Sequence, residues 1–281
     1  MMSSNPDNLW YWMQEREEVF LRRARGLPQP WTDDPILQQY RFCNVFRWQD
    51  KVSQWITHNW GQPYEGHRNM VLAMALARQI NWPPTLAEIG FPKRWNPDRV
   101  AKVMKQRRAR GEKVFTGAYI ITGTLGGDKI DQVVYKMLDP LHRARICVVP
   151  HSLEETWRKV RTIPGFGGFM AYEVVSDLRH LPPMRGQVED ACTWAHAGPG
   201  AKRGLNRFWG RPVRAPVKDH QAVVEMHELL KMARHKLPKY FSNVGLEMRD
   251  IEHSLCEYDK YERLRLGEGS VRAKFTPSEY F

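Results

Sequence analysis

The sequence predicts a mainly α-helical, two-lobed fold with one small extended segment near residues 113–123. Three observations predict it. Apolar residues recur at helical spacing along most of the chain, Gly and Pro clusters punctuate those runs, and a single stretch is β-rich.

Taken in order, residues 8–25 place Leu9, Trp12, Met13 and Phe20 near helical spacing, and Gly26-Leu27-Pro28 ends that run. Residues 35–40 lead into a segment at 42–50, after which Val52, Trp55 and Ile56 continue an apolar face as far as a turn at Gly61-Gln62-Pro63. Met70–Ile80 is almost continuously apolar and predicts a buried helix, stopped by Asn81-Trp82-Pro83-Pro84. Thr85-Leu86-Ala87-Glu88 has the form of a capping box. The stretch 113–123, which contains Tyr119, is glycine-punctuated and predicts a short strand or an extended active-site loop. Ser152 is placed to cap a helix over 153–161, with Glu155 three residues on. A hairpin at 162–171 leads into a second apolar helix. Gly198 to Gly204 predicts another glycine turn, carrying Lys202 and Arg203. Asp219 starts a helix to about Lys236, residues 247–266 form a charged final helix, and the tail from Gly267 is extended. The implied organisation is a helical N-terminal extension at 1–40, a main helical domain at 41–266 and a tail at 267–281.

Composition narrows the function. The 281 residues carry 43 Lys and Arg against 31 acids, a net charge of +12. Such a field attracts polyanions and speeds their encounter. The cations cluster at 22–23, 99–113, 158–161 and 202–214, interleaved with 11 Trp, 10 Tyr and 11 Phe. Rings beside cations can stack on unpaired bases, although most of these rings belong to the core. With 42% hydrophobic residues the chain can bury a core. No apolar run is long enough to span a membrane, and the first residues lack the layout of a signal peptide. Cys43, Cys147, Cys192 and Cys256 are widely spaced, which implies free thiols in a reducing cytoplasm and neither a zinc ribbon nor an iron–sulfur loop. There is no Walker A motif and no dinucleotide-binding fingerprint, so kinase chemistry is not expected of these residues.

The hairpin Ile163-Pro164-Gly165-Phe166-Gly167-Gly168-Phe169 carries the chemical expectation. Its glycines permit tight turns and close approach, and the helix that follows offers N–H groups suited to a phosphate oxygen. Arg158, Lys159 and Arg161 add charge beside it. Asp190 lies a short loop beyond that helix. Two readings of Asp190 stand at this point: a reacting acid, or a helix cap.

This pattern resembles the helix-hairpin-helix DNA glycosylase superfamily. There a Pro-Gly-x-Gly hairpin, matched by Gly165, Gly167 and Gly168, grips the DNA backbone, and a downstream Asp is catalytic. The resemblance implies a glycosylase-like fold and places Asp190, rather than Asp177, at the acid, with the loop 179–187 longer than usual. The Schiff-base Lys of lyase-type members is replaced by Gly168, which argues against lyase chemistry. The segments 42–50, Phe115-Thr116-Gly117-Ala118-Tyr119 and 252–261 further resemble the phage α-glutamyl/putrescinyl-thymine pyrophosphorylases, or amino acid:DNA transferases. A related helical module is fused to some 5-hydroxymethyldeoxyuridine (5-hmdU) DNA kinases.

The resemblance implies an enzyme that replaces the phosphate or pyrophosphate of a phosphorylated 5-hydroxymethyluracil in double-stranded DNA with an amine. Glycine and polyamines are the co-substrates it suggests. It implies no cofactor, a 5-hmdU DNA kinase as functional partner, and protection of phage DNA from host restriction. Asp190 would take the proton of the attacking ammonium. Candidates for substrate and phosphate are Asn44, Arg47, Asp50, Tyr119, Lys202, Arg203, Glu252 and His253. Arg47 and Asp50, three apart, can equally pair across one helical turn. His196 is expected to be structural. No metal is expected: His253, Cys256 and Glu257 share a helix face but form a mixed, incomplete set, and a solvated, salt-bridged helix is the simpler expectation there. A monofunctional DNA glycosylase and a non-catalytic helical DNA-binding module of a 5-hmdU DNA kinase system remain the alternatives.

Overall fold

The computed structural model describes residues 4–116, 125–269 and 274–275. The chain forms two units, one built from residues 1–50 and 191–281, the other from 51–190. Among the described residues the elements are helical, and the extended pairing is one antiparallel bridge between Tyr40 and Lys274. The helices are α1 (Asp7–Ala24), α2 (Pro35–Gln39), α3 (Lys51–Ile56), α4 (Met70–Ile80), α5 (Pro83–Ile89), α6 (Pro97–Ala109), α7 (Lys129–Asp131), α8 (Asp139–Ala144), α9 (Leu153–Arg161), α10 (Gly168–Leu178), α11 (Pro199–Phe208), α12 (Asp219–Lys236), α13 (Lys239–Val244) and α14 (Met248–Arg265). A π-helical stretch, Gln132–Leu138, joins α7 to α8. None is long and apolar enough to cross a membrane.

The division of the chain differs from the one the sequence suggests. Residues 1–40 are not an extension but part of the first unit, because α14 needs them as partners. The Asn8 side chain donates to Glu262 at 2.7 Å, and Tyr258 donates to the Asn5 carbonyl at 2.8 Å.

In the second unit, α4 is the central element and all eleven of its residues are buried. One is Arg78, 1% exposed, whose guanidinium grips both oxygens of Asp177 at 2.6 Å and also donates to Ser53 at 2.8 Å. That buried fork ties α4 to α10 and α3, and it gives Asp177 a structural role. Residues 113–116 form no strand. They are held by Thr116 donating to the Ile80 carbonyl at 3.1 Å and Thr85 donating to the Val114 carbonyl at 2.9 Å. The rest of the expected extended segment, Tyr119 included, lies outside the described residues. Thr85 is therefore not the cap of a box: α5 begins two residues earlier, where Pro83 and Pro84 supply preset φ angles and lack the N–H groups a helix start leaves over.

In the first unit, two expectations are corrected. The stretch from Gly198 to Gly204 is not a turn but the start of α11. A Cβ on Gly200 would come within 2.3 Å of the Cys256 sulfur, and one on Gly204 within 2.2 Å of the Leu255 carbonyl oxygen. These glycines, four apart on one face, let α11 lie directly against the backbone of α14. Nor is α14 a solvated helix. Twelve of its residues are buried, among them Arg249, Asp250, Glu252, Glu257, Asp259 and Glu262. Its acids are answered from neighbouring elements: Asp259, 1% exposed, receives Arg203 and Arg207 of α11, each at 2.8 Å. Gly204→Ala should lower unfolding stability in urea by about 1–3 kcal/mol, the usual cost of overpacking. The same change at Gly167, where a Cβ meets open space, should be nearly silent.

Candidate functional site

The hairpin forms as the sequence predicts. Helix α9 ends near Thr162, Phe166 donates back to the Ile163 carbonyl at 3.0 Å, and α10 begins after Gly167. Gly165 has φ +79°, and a Cβ there would lie 2.6 Å from Met137, so this position needs glycine twice over. Phe166 and Ile163 are buried beneath the turn while Pro164, Gly165 and Gly167 are exposed. The Trp157 indole donates to the Gly168 carbonyl at 2.9 Å and fixes the entry to α10. No side chain caps α10 at Gly167. Arg158, Lys159 and Arg161 are exposed beside the turn. Arg158 pairs with Glu154 at 2.7 Å, Arg161 covers the Trp157 ring at 4.8 Å, and Lys159 donates to the carbonyl of the exposed Cys147 at 3.3 Å.

Asp190 completes the other end of α9. One carboxylate oxygen accepts from the Leu153 N–H at 2.9 Å, and the other from the Glu154 N–H at 3.0 Å and the Ser152 hydroxyl at 2.8 Å. Ser152 accepts in turn from Glu155 at 3.1 Å, so the first three N–H groups of α9 are all satisfied. Of the two readings of Asp190, the geometry displays the cap. It caps the helix before the hairpin rather than one that follows.

The first unit gathers a second group. Asn44, Arg47 and Asp50 come from one short loop, with Arg47 and Asp50 bracketing a 3-10 turn. Arg47 Nη1 donates to Asp50 at 2.5 Å, and the Asn44 N–H donates to the other Asp50 oxygen at 3.0 Å. Helix α14 locks this loop in place. Glu257 accepts from the Cys43 N–H at 3.2 Å, and Lys260 bonds Glu257 at 3.1 Å, donates to the Arg41 carbonyl and covers the Phe42 ring at 4.3 Å. His253 lies among Arg47, Arg249, Glu257 and Asp50. Glu252 accepts from the Gly198 N–H at 3.2 Å and faces Arg249 at 3.5 Å. Arg16 of α1 joins the group through Asp50, Cys43 and Glu257. Cys43, Arg47, Asp50, His253 and Arg16 sit deep in the unit yet each keeps some surface open to solvent, so they line a recess.

The recess sets unusual protonation. Burial, reinforced by Arg47 and Arg249, holds the His253 imidazole down at about 4, so it is neutral at pH 7. Burial, with Glu257 and Asp50, pushes the Cys43 thiol up to about 12, so it stays protonated. Burial, the largest single influence, works to raise the Glu257 carboxyl, but Lys260 and the Cys43 N–H help keep it below the usual carboxylate range. Cys43 Sγ, an Asp50 oxygen and a His253 nitrogen lie within 4.8 Å of one another, close enough to consider a metal ion. Arg47 Nη1, however, rests on Asp50 and lies 3.8 Å from Cys43, so a guanidinium already holds the place a cation would need.

Of the residues the sequence singles out, Asn44, Arg47, Asp50 and His253 therefore converge, with Glu252 reaching them through Arg249. Lys202 and Arg203 do not join them. Lys202 pairs with Asp219 at 2.6 Å and Arg203 with Asp259. Arg16, Arg249 and the locking role of Glu257 were not foreseen. A usable signal existed for Arg16, which stands four residues from both Trp12 and Phe20, on the apolar face of α1.

Comparison with known proteins adds an identity to this arrangement. A family model described as the helical domain of 5-hmdU DNA kinase matches residues 3–270. The chain belongs to that family. It is 32% identical over 280 residues to the 5-hmdU DNA kinase of Bacillus phage SP10, a match covering 88% of this chain and 43% of the phage protein. The chain thus spans less than half the length of that relative. No solved structure matches it. Among the resemblances read from the sequence, the one to the helical module of 5-hmdU DNA kinases is the one this match supports.

The depressed His253 has a consequence for this helical domain. Its folded pKa lies below the unfolded value near 6.5, so the unfolded chain binds the extra proton. The stability it contributes is complete above pH 6.5 and is lost as pH falls toward 4. Between pH 6.5 and 4.5 the loss should be on the order of 2 kcal/mol. Urea titrations across that range should show a shallower decline for His253→Gln than for the parent.

Proposed function

We propose that this chain binds DNA carrying a phosphorylated 5-hydroxymethyluracil and exchanges that phosphate or pyrophosphate for an amine, as a step in thymine hypermodification. The single observation that carries this reading is the solvent-reaching recess holding a neutral, deeply set His253 beside the Arg47–Asp50 pair. Family membership supports DNA containing 5-hmdU as the polymer and a 5-hmdU DNA kinase as the functional partner.

In this reading the two units divide the work. The hairpin holds the backbone through N–H groups at the start of α10, with Arg158, Lys159 and Arg161 alongside, in the manner of a helix-hairpin-helix glycosylase. The recess carries the chemistry. The amine attacks the exocyclic methylene of an extruded base, the carbon–oxygen bond to phosphate breaks, and phosphate leaves with the bonding pair. The departing phosphate takes the proton that the new secondary ammonium gives up, and the neutral imidazole of His253 relays it, accepting at one nitrogen as it releases at the other. Arg47 is placed to answer the charge of the departing group. Trp48, 47% exposed on the same turn, offers a face on which a base can stack. Asp190 serves by fixing α9, and through it the hairpin, rather than by meeting the substrate.

A second reading, a non-catalytic module that presents DNA to a kinase, draws on the family match itself. One experiment separates them. DNA containing phosphorylated or pyrophosphorylated 5-hydroxymethyluracil is incubated with the chain and a panel of amines, and phosphate release and nucleoside masses are followed. A heavier nucleoside supports transfer, abasic sites would mean a glycosylase, and intact DNA held tightly would leave the module.

Asp190→Asn keeps one accepting oxygen of the cap, so the variant should fold with a modest loss of stability and retain turnover within a few-fold, whereas Asp190→Ala, which removes both, should lose about 1 kcal/mol or more. Loss of turnover in a folded Asp190→Asn protein would return the reacting acid to Asp190. At the hairpin, Gly167 has φ −67° and ψ 176° with open space around its missing Cβ, so Gly167→Val should fold normally. It should nonetheless weaken duplex binding severalfold across unrelated sequences in a gel-shift series. Unchanged binding would make the hairpin a structural turn only.

A further inference from the structure

Arg16 is a deeply set, partly exposed arginine with no acid in contact among the described residues. Its Nη1 has no hydrogen-bond partner among the described residues, and burial pulls the guanidinium below its ordinary range despite the influence of Asp50. An isolated buried charge is costly, so a fold keeps one where something outside the chain repays it.

The acids around it are engaged elsewhere. Asp50 is held by Arg47 and the Asn44 N–H. Glu257 is held by Lys260 and the Cys43 N–H. Glu17, its chain neighbour, accepts from Gln49 and Tyr240 on one oxygen, each at 2.8 Å, and its other, buried oxygen has no hydrogen-bond partner among the described residues. Arg47 pairs with Asp50, Arg249 with Glu252 and Lys260 with Glu257, and Glu17 makes no ion pair among the described residues, so Arg16 is the cation of the recess with no acid in contact. Two further buried atoms there, Asn44 Oδ1 and His253 Nε2, also have no hydrogen-bond partner. Three unanswered polar atoms around one solvent-reaching recess describe the outline of an absent polar ligand.

We propose that Arg16 is the anchor of an oxyanion subsite in this recess, shared with Arg47 and Arg249. The planar guanidinium matches a carboxylate or a phosphate group equally in shape, so the ligand is either the phosphate carried by the base or the carboxylate of a small amino-acid co-substrate. The inference rests on reading the recess as the reacting site. It is tested without DNA and without turnover, so that its failure is separate from failure of that reading.

The experiment measures thermal unfolding of the whole chain against inorganic phosphate, pyrophosphate and glycine, with chloride at matched ionic strength as the control. The parent should show a saturable rise in Tm with phosphate and pyrophosphate, or with glycine, and the arm that responds identifies the source. Arg16→Met should abolish that rise while its ligand-free Tm stays level or increases, because an unanswered buried charge has been removed. Arg16→Lys keeps the charge but not the fork, and should weaken the response about tenfold. Absence of a saturable rise in the parent with all three ligands would overturn the proposal. So would an unchanged response in Arg16→Met or Arg16→Lys. A ligand-free Tm of Arg16→Met well below the parent, or failure of that variant to fold, would also overturn it by making Arg16 a structural partner of Asp50 and Glu257.

Discussion

Helix α14 is buried along most of its length although it carries acids at Asp250, Glu252, Glu257, Asp259 and Glu262. Buried carboxylates are tolerated only when donors meet them, and that requirement arranges the first unit. Asp259 calls in α11 through Arg203 and Arg207, Glu262 calls in the N-terminus through Asn5 and Asn8, and Glu257 fixes the loop at 42–50. The glycines of α11 let it come close enough for the first of these to work. The recess is where one cation of this unit, Arg16, is left without an acid in contact among the described residues.

The second unit solves a different problem with the same means. Its centre is an apolar helix, α4, interrupted by one arginine whose charge is spent on Asp177. The hairpin is held from outside that centre. Its own turn is set by Gly165 over Met137, and the helix leading into it is capped by a residue 37 positions further along the chain. A loop that closes on a cap in this way makes the position of α9 depend on residues on both sides of the hairpin.

Much of the fold was legible in the sequence because it rests on local signals. The starts of α9 and α14 follow from their capping residues, the stop of α1 from Gly26, and the buried run of α4 from composition. Glycine was read correctly at Gly165, where the turn demands it. It was misread at Gly200 and Gly204, where the demand comes from a partner helix more than fifty residues away. The same limit applies to charge. Arg47 and Asp50 pair within one turn, as their spacing allows, but nothing local says that the acids of α14 are buried or that Arg16 faces them. Asp190 could be placed as important from its position after the hairpin. Its donors, Ser152, Leu153 and Glu154, precede the hairpin, and sequence order hides that return.

The four cysteines are unequal in a way that has a practical use. Cys43 and Cys256 sit deep with thiols pushed toward the protonated, unreactive form, while Cys147 is exposed just before α9, its carbonyl holding Lys159. A maleimide dye offered briefly at neutral pH should therefore favour Cys147. The natural sequence thus carries a fluorescent reporting position within reach of the hairpin's cations, and engagement of a polyanion there can be followed by emission without an engineered residue.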